Sequence, residues 1–277
     1  MTTHLPLFLD SKTCERPLFP MLLAHRGAMA EAPENTAAAF EKALFWKTDG
    51  IEFDVQLSAD GIPVVFHDDD LFRVTGINGP VSDYPFETLK TFDYGNWFSE
   101  AFSDTSLMRL EDVLRTYAHR TNLMIELKTG PSETAGFQER KRRLVQDAVG
   151  MIMALVPKKY LGKMHVLSFD QEALRIAHET APGLKYILNI EPGDHVRTDG
   201  MKHDPITYGY GLHFGELDKS VVRRAHDAGK KIMSYPCNTI AEVAAALDAG
   251  ADFLLTDDPA AVAPYFFKQC ETEGENQ

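Results

Sequence analysis

Cysteine is scarce: three residues in 277, Cys14, Cys237 and Cys270, too few and too scattered for a disulfide framework or a thiolate zinc site, so they read as free thiols of a reducing compartment. Basic residues are also in deficit. Twenty-eight Lys and Arg against 41 Asp and Glu leave a net charge of −13, which argues against a nucleic-acid partner or an anionic membrane surface, since both demand basic patches. An anionic small molecule is still compatible, because a metal and a few local cations can reverse the field inside a cleft. No apolar run approaches the roughly 20 residues that cross a bilayer, and residues 1–20 show no cationic segment followed by a long apolar one. The expected setting is the cytoplasm. Internal repeats and low-complexity segments are absent too.

What is present is ordinary for one large globular domain, with 44% hydrophobic and 25% charged residues. Apolar β-type runs alternate with helical patterns from end to end. Core strands are expected near Met21–Ala24, Gly50–Leu57, Leu123–Leu127, Met164–Phe169, Lys185–Asn189, Thr207–His213, Lys230–Tyr235 and Asp252–Thr256. Amphipathic helices fall between them at Thr36–Trp46, Arg109–Ala118, Glu139–Leu155, Asp170–Thr180, Asp218–Ala228 and Ile240–Ala249. Asn35 is expected to cap the first helix, and Gly229 and Gly250 to end the last two. Eight strands with intervening helices over about 250 residues fit an α/β (β/α)8 TIM-type barrel; a doubly wound open sheet alternates in the same way and is the rival. The whole chain, 1–277, reads as a single domain with a polar, frayed tail at 271–277.

Two connections are long. Residues 67–108 form an insertion between the second strand and its helix, and its aromatic residues suggest either a small satellite core or a membrane-contact surface. The other, 191–205, is polar and follows the fifth strand. Loops after barrel strands carry active sites, so both are candidate substrate walls.

The chemistry gathers at strand ends. Leu22-Leu23-Ala24 runs into His25-Arg26-Gly27, and Val64-Val65-Phe66 runs into His67-Asp68. Between them, Glu52 and Asp54 alternate onto one face of a strand, where they repel each other and lose hydration, so they need a cation. Asp60-Gly61 suits a hairpin turn. A two-residue turn sets Asp54 opposite His67; a three-residue loop shifts the register by one and sets His67 opposite Phe53. Glu126 and Lys128 share a face of the third strand, as a simple salt bridge or as site residues. Three carboxylates make a hard oxygen site suited to Mg2+, Ca2+ or Mn2+; zinc has few soft ligands here, though His25 or His67 could contribute. Arg26 could hold a phosphate oxygen, and His213 could end the sixth strand near the site.

The series His25-Arg26-Gly27, Pro33-Glu34-Asn35-Thr36, Glu52-Phe53-Asp54-Val55, Ser58-Ala59-Asp60-Gly61, His67-Asp68, Glu126-Leu127-Lys128, Ser168-Phe169 and Thr256-Asp257-Asp258-Pro259 resembles the glycerophosphodiester phosphodiesterase family, in order from about residue 21 to 262. The resemblance implies a TIM-type barrel and metal-dependent hydrolysis of glycerophosphodiesters to glycerol 3-phosphate and an alcohol. It implies catalytic roles for His25 and His67, a divalent metal on Glu52, Asp54 and Glu126, and substrate contacts from Arg26 and Lys128. One departure stands out: Tyr235-Pro236-Cys237-Asn238 replaces the Trp-Thr-Val-Asn run common in the family, so Tyr235 is the expected aromatic surface for substrate. The rival functions are a phospholipase D-like lipase on the same barrel and a non-catalytic ligand-binding barrel.

Overall fold

A computed structural model describes residues 20–130, 136–194 and 198–265. Cys14, Cys270, the 271–277 tail and part of the 191–205 connection lie outside the described residues. Eight parallel strands close into a barrel: β1 (Met21–Ala24), β2 (Gly50–Leu57), β4 (Asn122–Leu127), β5 (Met164–Ser168), β6 (Lys185–Asn189), β7 (Thr207–His213), β8 (Lys231–Tyr235) and β9 (Phe253–Thr256). Each pairs with its neighbour in parallel, and β1 pairs with both β2 and β9, which closes the ring and sets aside the open sheet. The remaining strand, β3 (Pro63–Val65), runs antiparallel on β2 outside the ring. An outer layer of helices carries α1 (Ala37–Phe45), α4 (Leu110–Tyr117), α5 (Phe137–Leu155), α6 (Gln171–Thr180), α7 (Lys219–Asp227) and α8 (Ile240–Ala249).

The strands are apolar on both faces because both are covered. In β4, Leu123, Ile125 and Leu127 pack outward against the helices, whereas Met124 joins Leu23, Leu167, Ile187, Met233 and Phe253 inside the ring. Outside, Phe40 of α1 meets Phe53 at 5.6 Å and Tyr117 at 5.4 Å between ring centroids; burying one such ring contributes roughly 1.5–3 kcal/mol. Gly27 lets α1 approach the first loop. Its φ of 81° lies in the left-handed region, and a Cβ there would sit 2.7 Å from Ala39.

One local expectation is corrected, and one open alternative is decided. Asn35 does not cap α1: the Thr36 hydroxyl accepts from the Ala39 amide, while Asn35 adopts a φ of 58° and sends its side chain into the barrel. The β2–β3 hairpin has the three-residue loop, since Val55 pairs with Val65 and the Ser58 amide donates to the Ile62 carbonyl at 3.0 Å. Asp54 is therefore not the ladder partner of His67. Gly61 at φ 81° supplies the left-handed residue that such a loop uses.

The 67–108 insertion holds the short helices α2 (Phe72–Thr75) and α3 (Phe86–Leu89). Leu71, Val74, Val81, Leu89 and Tyr94 close over Phe66 and Val64 as a satellite core. Most of the aromatic content is thus structural, with Phe72 and Trp97 left exposed. No helix among the described residues is long and apolar enough to cross a membrane.

Candidate active site

The carboxyl ends of the strands meet around a cavity of about 130 Å³. All eight residues singled out from sequence border it: His25, Arg26, Glu52, Asp54, His67, Glu126, Lys128 and Tyr235. Phe169 and Asn189 complete much of the wall. Parallel register explains the acidic floor, because Asp54 and Glu126 are direct partners on β2 and β4 and Glu52 lies one inward step below Asp54. The three carboxylates are buried, and each offers an oxygen within 4.8 Å of the others.

Their electrostatics follow from crowding. Burial first, then the charges of Asp54 and Glu126, push Glu52 well above the usual carboxylate range. Glu126 is raised by burial and by Asp54, against the pull of Lys128, whose ammonium lies 3.1 Å away. Asp54 goes the other way. Burial opposes its ionisation, but Arg26 at 3.5 Å, His67 and Lys128 outweigh that, and the Asn35 amide donates to it at 2.9 Å. Two cations against three acids leave an excess of negative charge that a bound divalent ion would neutralise. Oxygen-only donors suit Mg2+, Ca2+ or Mn2+ better than zinc. The donor set therefore fits a hard cation. Glu34, His67 and Asp68 also bring ligand atoms within 4.8 Å, but Arg73 already pairs with both of those carboxylates.

Each histidine is held by its own carboxylate. His25 Nδ1 lies 2.6 Å from Asp257 Oδ1, and the Asn238 amide donates to the other Asp257 oxygen at 2.8 Å. His67 Nδ1 lies 2.7 Å from Asp68 Oδ1. These bonds favour a proton on Nδ1 and leave Nε2 of each ring for the cavity. His67 reaches the site because the ladder ends at Val65: the Phe66 amide still donates to the Asp54 carbonyl at 3.1 Å, after which the chain turns inward. The Gln56 amide lies within hydrogen-bond distance of the carbonyls of Phe66, His67 and Asp68, which pins that turn. Arg26 sits at a φ of 52°, and its amide donates to Glu52 at 3.1 Å.

Lys128 is both a salt-bridge partner of Glu126 and a cavity residue. Tyr235 donates its hydroxyl to the Ile190 carbonyl at 3.1 Å, and burial holds that hydroxyl far above its ordinary pKa, so the ring offers apolar surface rather than a proton. His213 ends β7 beside the site, its ring centroid 6.3 Å from that of Tyr235, but it does not line the cavity and instead caps the next turn by accepting from the Gly215 amide at 3.2 Å. Sequence reasoning did not assign roles to Asp257, Asn238, Glu34 or Arg73, and it gave Asn35 a capping role instead of its contact with Asp54. The Thr256-Asp257 pair at the end of the last strand was the available signal for Asp257.

A closed barrel with acids, imidazoles and cations at its carboxyl mouth belongs to the broad class of barrel enzymes, and comparison with known proteins narrows it. The sequence model of the glycerophosphoryl diester phosphodiesterase family matches residues 25–261. A glycerophosphodiester phosphodiesterase of Bacillus subtilis (strain 168) is 30% identical over 256 residues, covering 86% of this chain and 84% of the relative. One from Bacillus altitudinis is 31% identical, covering 86% and 94%. Among solved structures, an Oleispira antarctica phosphodiesterase in complex with the product sn-glycerol-3-phosphate superposes with a TM-score of 0.77 at 27% identity, covering 87% of this chain and 94% of that one. The chain belongs to the glycerophosphodiester phosphodiesterase family and is a phosphoric diester hydrolase.

Proposed function

We propose that the barrel is a single catalytic unit that hydrolyses glycerophosphodiesters to glycerol 3-phosphate and an alcohol with His25 and His67 as the acid/base pair. One observation carries this reading: two imidazoles, each fixed at Nδ1 by a carboxylate, border one cavity floored by three buried acids. A phosphodiester resists attack because its anionic oxygens repel nucleophiles and its alkoxide leaves poorly. Arg26 and Lys128 bind the phosphoryl oxygens and offset their charge. One imidazole takes the nucleophile's proton at Nε2 while the other delivers a proton to the departing oxygen, so the two begin in opposite protonation states. Asp257 and Asp68 keep both rings in the tautomer this exchange needs. Tyr235 and Phe169 give the glycerol or alcohol portion an apolar wall. Glu52, Asp54 and Glu126 would hold a divalent cation, Mg2+ or Ca2+ before Mn2+, which when bound supplies charge neutralisation at the phosphoryl group.

The deciding assay is a panel of glycerophosphodiesters with coupled detection of glycerol 3-phosphate, run with Mg2+, Ca2+ and Mn2+ and after EDTA. Release of glycerol 3-phosphate that needs added ion is expected; full activity after EDTA overturns the coordination reading. His25→Ala and His67→Ala should each lower kcat by at least ~10²-fold. A near-normal rate from a folded variant removes that histidine from the mechanism. A substrate lacking the glycerol 2-hydroxyl separates direct attack by water from a cyclic phosphate route, which it blocks. Activity confined to lysophospholipid micelles identifies a phospholipase D-like lipase instead.

A further inference from the structure

We propose that Arg73, which does not border the cavity, is the positioning residue that sets both the His67 ring and the Arg26 guanidinium through the two carboxylates it grips. The inference rests on the reading above for its kinetic consequences, but its structural content stands apart from any substrate. Arg73 donates from Nε and Nη2 to the two oxygens of Asp68 at 2.5 and 3.1 Å. From Nη1 and Nη2 it donates to the two oxygens of Glu34 at 3.0 and 2.7 Å. Asp68 in turn holds His67 Nδ1, and Glu34 Oε1 accepts from Arg26 Nη1 at 2.9 Å. A single planar fork thus joins the first barrel loop to the insertion, and its two arms end on an acid/base imidazole and on a phosphate-binding cation.

One face of the fork lies against an indole, while the arginine side chain stays 44% exposed. The Arg73 guanidinium carbon lies 5.1 Å from the centroid of Trp97, whose indole nitrogen donates to the Tyr94 carbonyl at 3.0 Å. The insertion therefore supplies both the arginine and the aromatic ring it lies against. A residue that merely glued the insertion down would need charge and one contact; four hydrogen bonds to two carboxylates are a demand that lysine, with three donors, cannot meet. The two arms also predict separable defects. Loss of the Asp68 arm frees His67 and lowers kcat. Loss of the Glu34 arm loosens Arg26 and raises KM.

The test compares wild type, Arg73→Ala, Arg73→Lys, Asp68→Ala and the Arg73→Ala/Asp68→Ala double variant in steady-state kinetics with glycerophosphocholine. In parallel, 15N spectra of histidine-labelled protein report the ring tautomers, with His67 assigned by its loss in His67→Ala. Arg73→Ala should lower kcat by about 10- to 100-fold and raise KM, and mix the His67 tautomers. Arg73→Lys should recover thermal stability without recovering kcat or the single tautomer; it also serves as the readout if Arg73→Ala does not fold. In the Asp68→Ala background, Arg73→Ala should cost no further kcat while still raising KM. Unchanged His67 tautomers with wild-type kinetics in Arg73→Lys, or kcat losses that multiply in the double variant, overturn the proposal. A wild type inactive on every glycerophosphodiester, with His67 tautomers still dependent on Arg73, overturns the proposed reaction and leaves the positioning role intact.

Discussion

Glu52→Gln should make the metal-free protein no less stable, and abolish its response to divalent ions. The three carboxylates offer oxygens within 4.8 Å of one another. At an effective dielectric of about 20, two full charges at that distance repel by roughly 3–4 kcal/mol. Raising the affinity of Glu52 for a proton relieves part of this, as its upward shift records, so a gain of about 1–2 kcal/mol on neutralising the side chain is the realistic scale. Glutamine keeps the acceptor for the Arg26 amide and loses only the charge. For a chain of this size that gain is about 2–4 °C in Tm. In the wild type, an ion at 100 times its Kd adds about 2.7 kcal/mol. The assay is thermal melting in EDTA and in millimolar Mg2+, Ca2+ or Mn2+. Wild type should melt higher with at least one ion; Glu52→Gln should melt at or above wild type in EDTA and barely respond to any of them. An equal ion-induced shift in the variant, or a wild type indifferent to all three ions, refutes the reasoning.

Asp257→Asn should lower kcat by about 10²-fold or more with a modest change in KM, because the amide can stabilise the wrong tautomer of His25 without altering the shape of the site; unchanged kcat shows that Asp257 is structural only. His165 is buried inside the barrel, where burial and then Lys185 push its pKa down to about 3, so the folded ring stays neutral while the unfolded ring protonates near pH 6.5. Stability should accordingly fall by about 1.4 kcal/mol per pH unit as pH drops below about 6.5, about 2 kcal/mol by pH 5. His165→Leu should lose that share of the acid sensitivity in urea unfolding at the two pH values, and an unchanged difference refutes the assignment.

The barrel was legible because its strands are covered on both faces. Continuous apolar runs such as Leu22-Leu23-Ala24 and Phe253-Leu254-Leu255 leave little freedom in where they begin, and glycines such as Gly250, at φ 92°, mark helix ends through local backbone geometry. Glu52, Asp54 and Glu126 were legible for the same reason, since strand alternation is a local rule and parallel register then brings 54 beside 126. The hairpin was not. Asp60-Gly61 serves a two- or a three-residue loop equally well, and the choice is made by Ser58, whose hydroxyl donates to Asp60 at 2.5 Å and accepts from the Ile62 amide at 2.8 Å.

The partners that orient the site escaped because they are not local. Asn35 looks like a helix cap beside an Ala-rich run, yet its neighbour Thr36 caps, and the contact that explains its left-handed backbone is Asp54, 19 positions away. His25 and Asp257 are separated by 232 positions and meet only because β1 and β9 pair to close the ring. Arg73 sits in a helix of four residues whose own sequence says nothing of Glu34, 39 positions earlier. The groups with reactive atoms stand at strand ends, where a periodic pattern stops abruptly and so draws notice; the groups that aim them arrive from other segments, and their selection is a property of ring closure. A sequence in which His25 and His67 are intact but Arg73 is replaced would therefore keep every strand-end signal, while the fork that joins Asp68 to Glu34 would be gone.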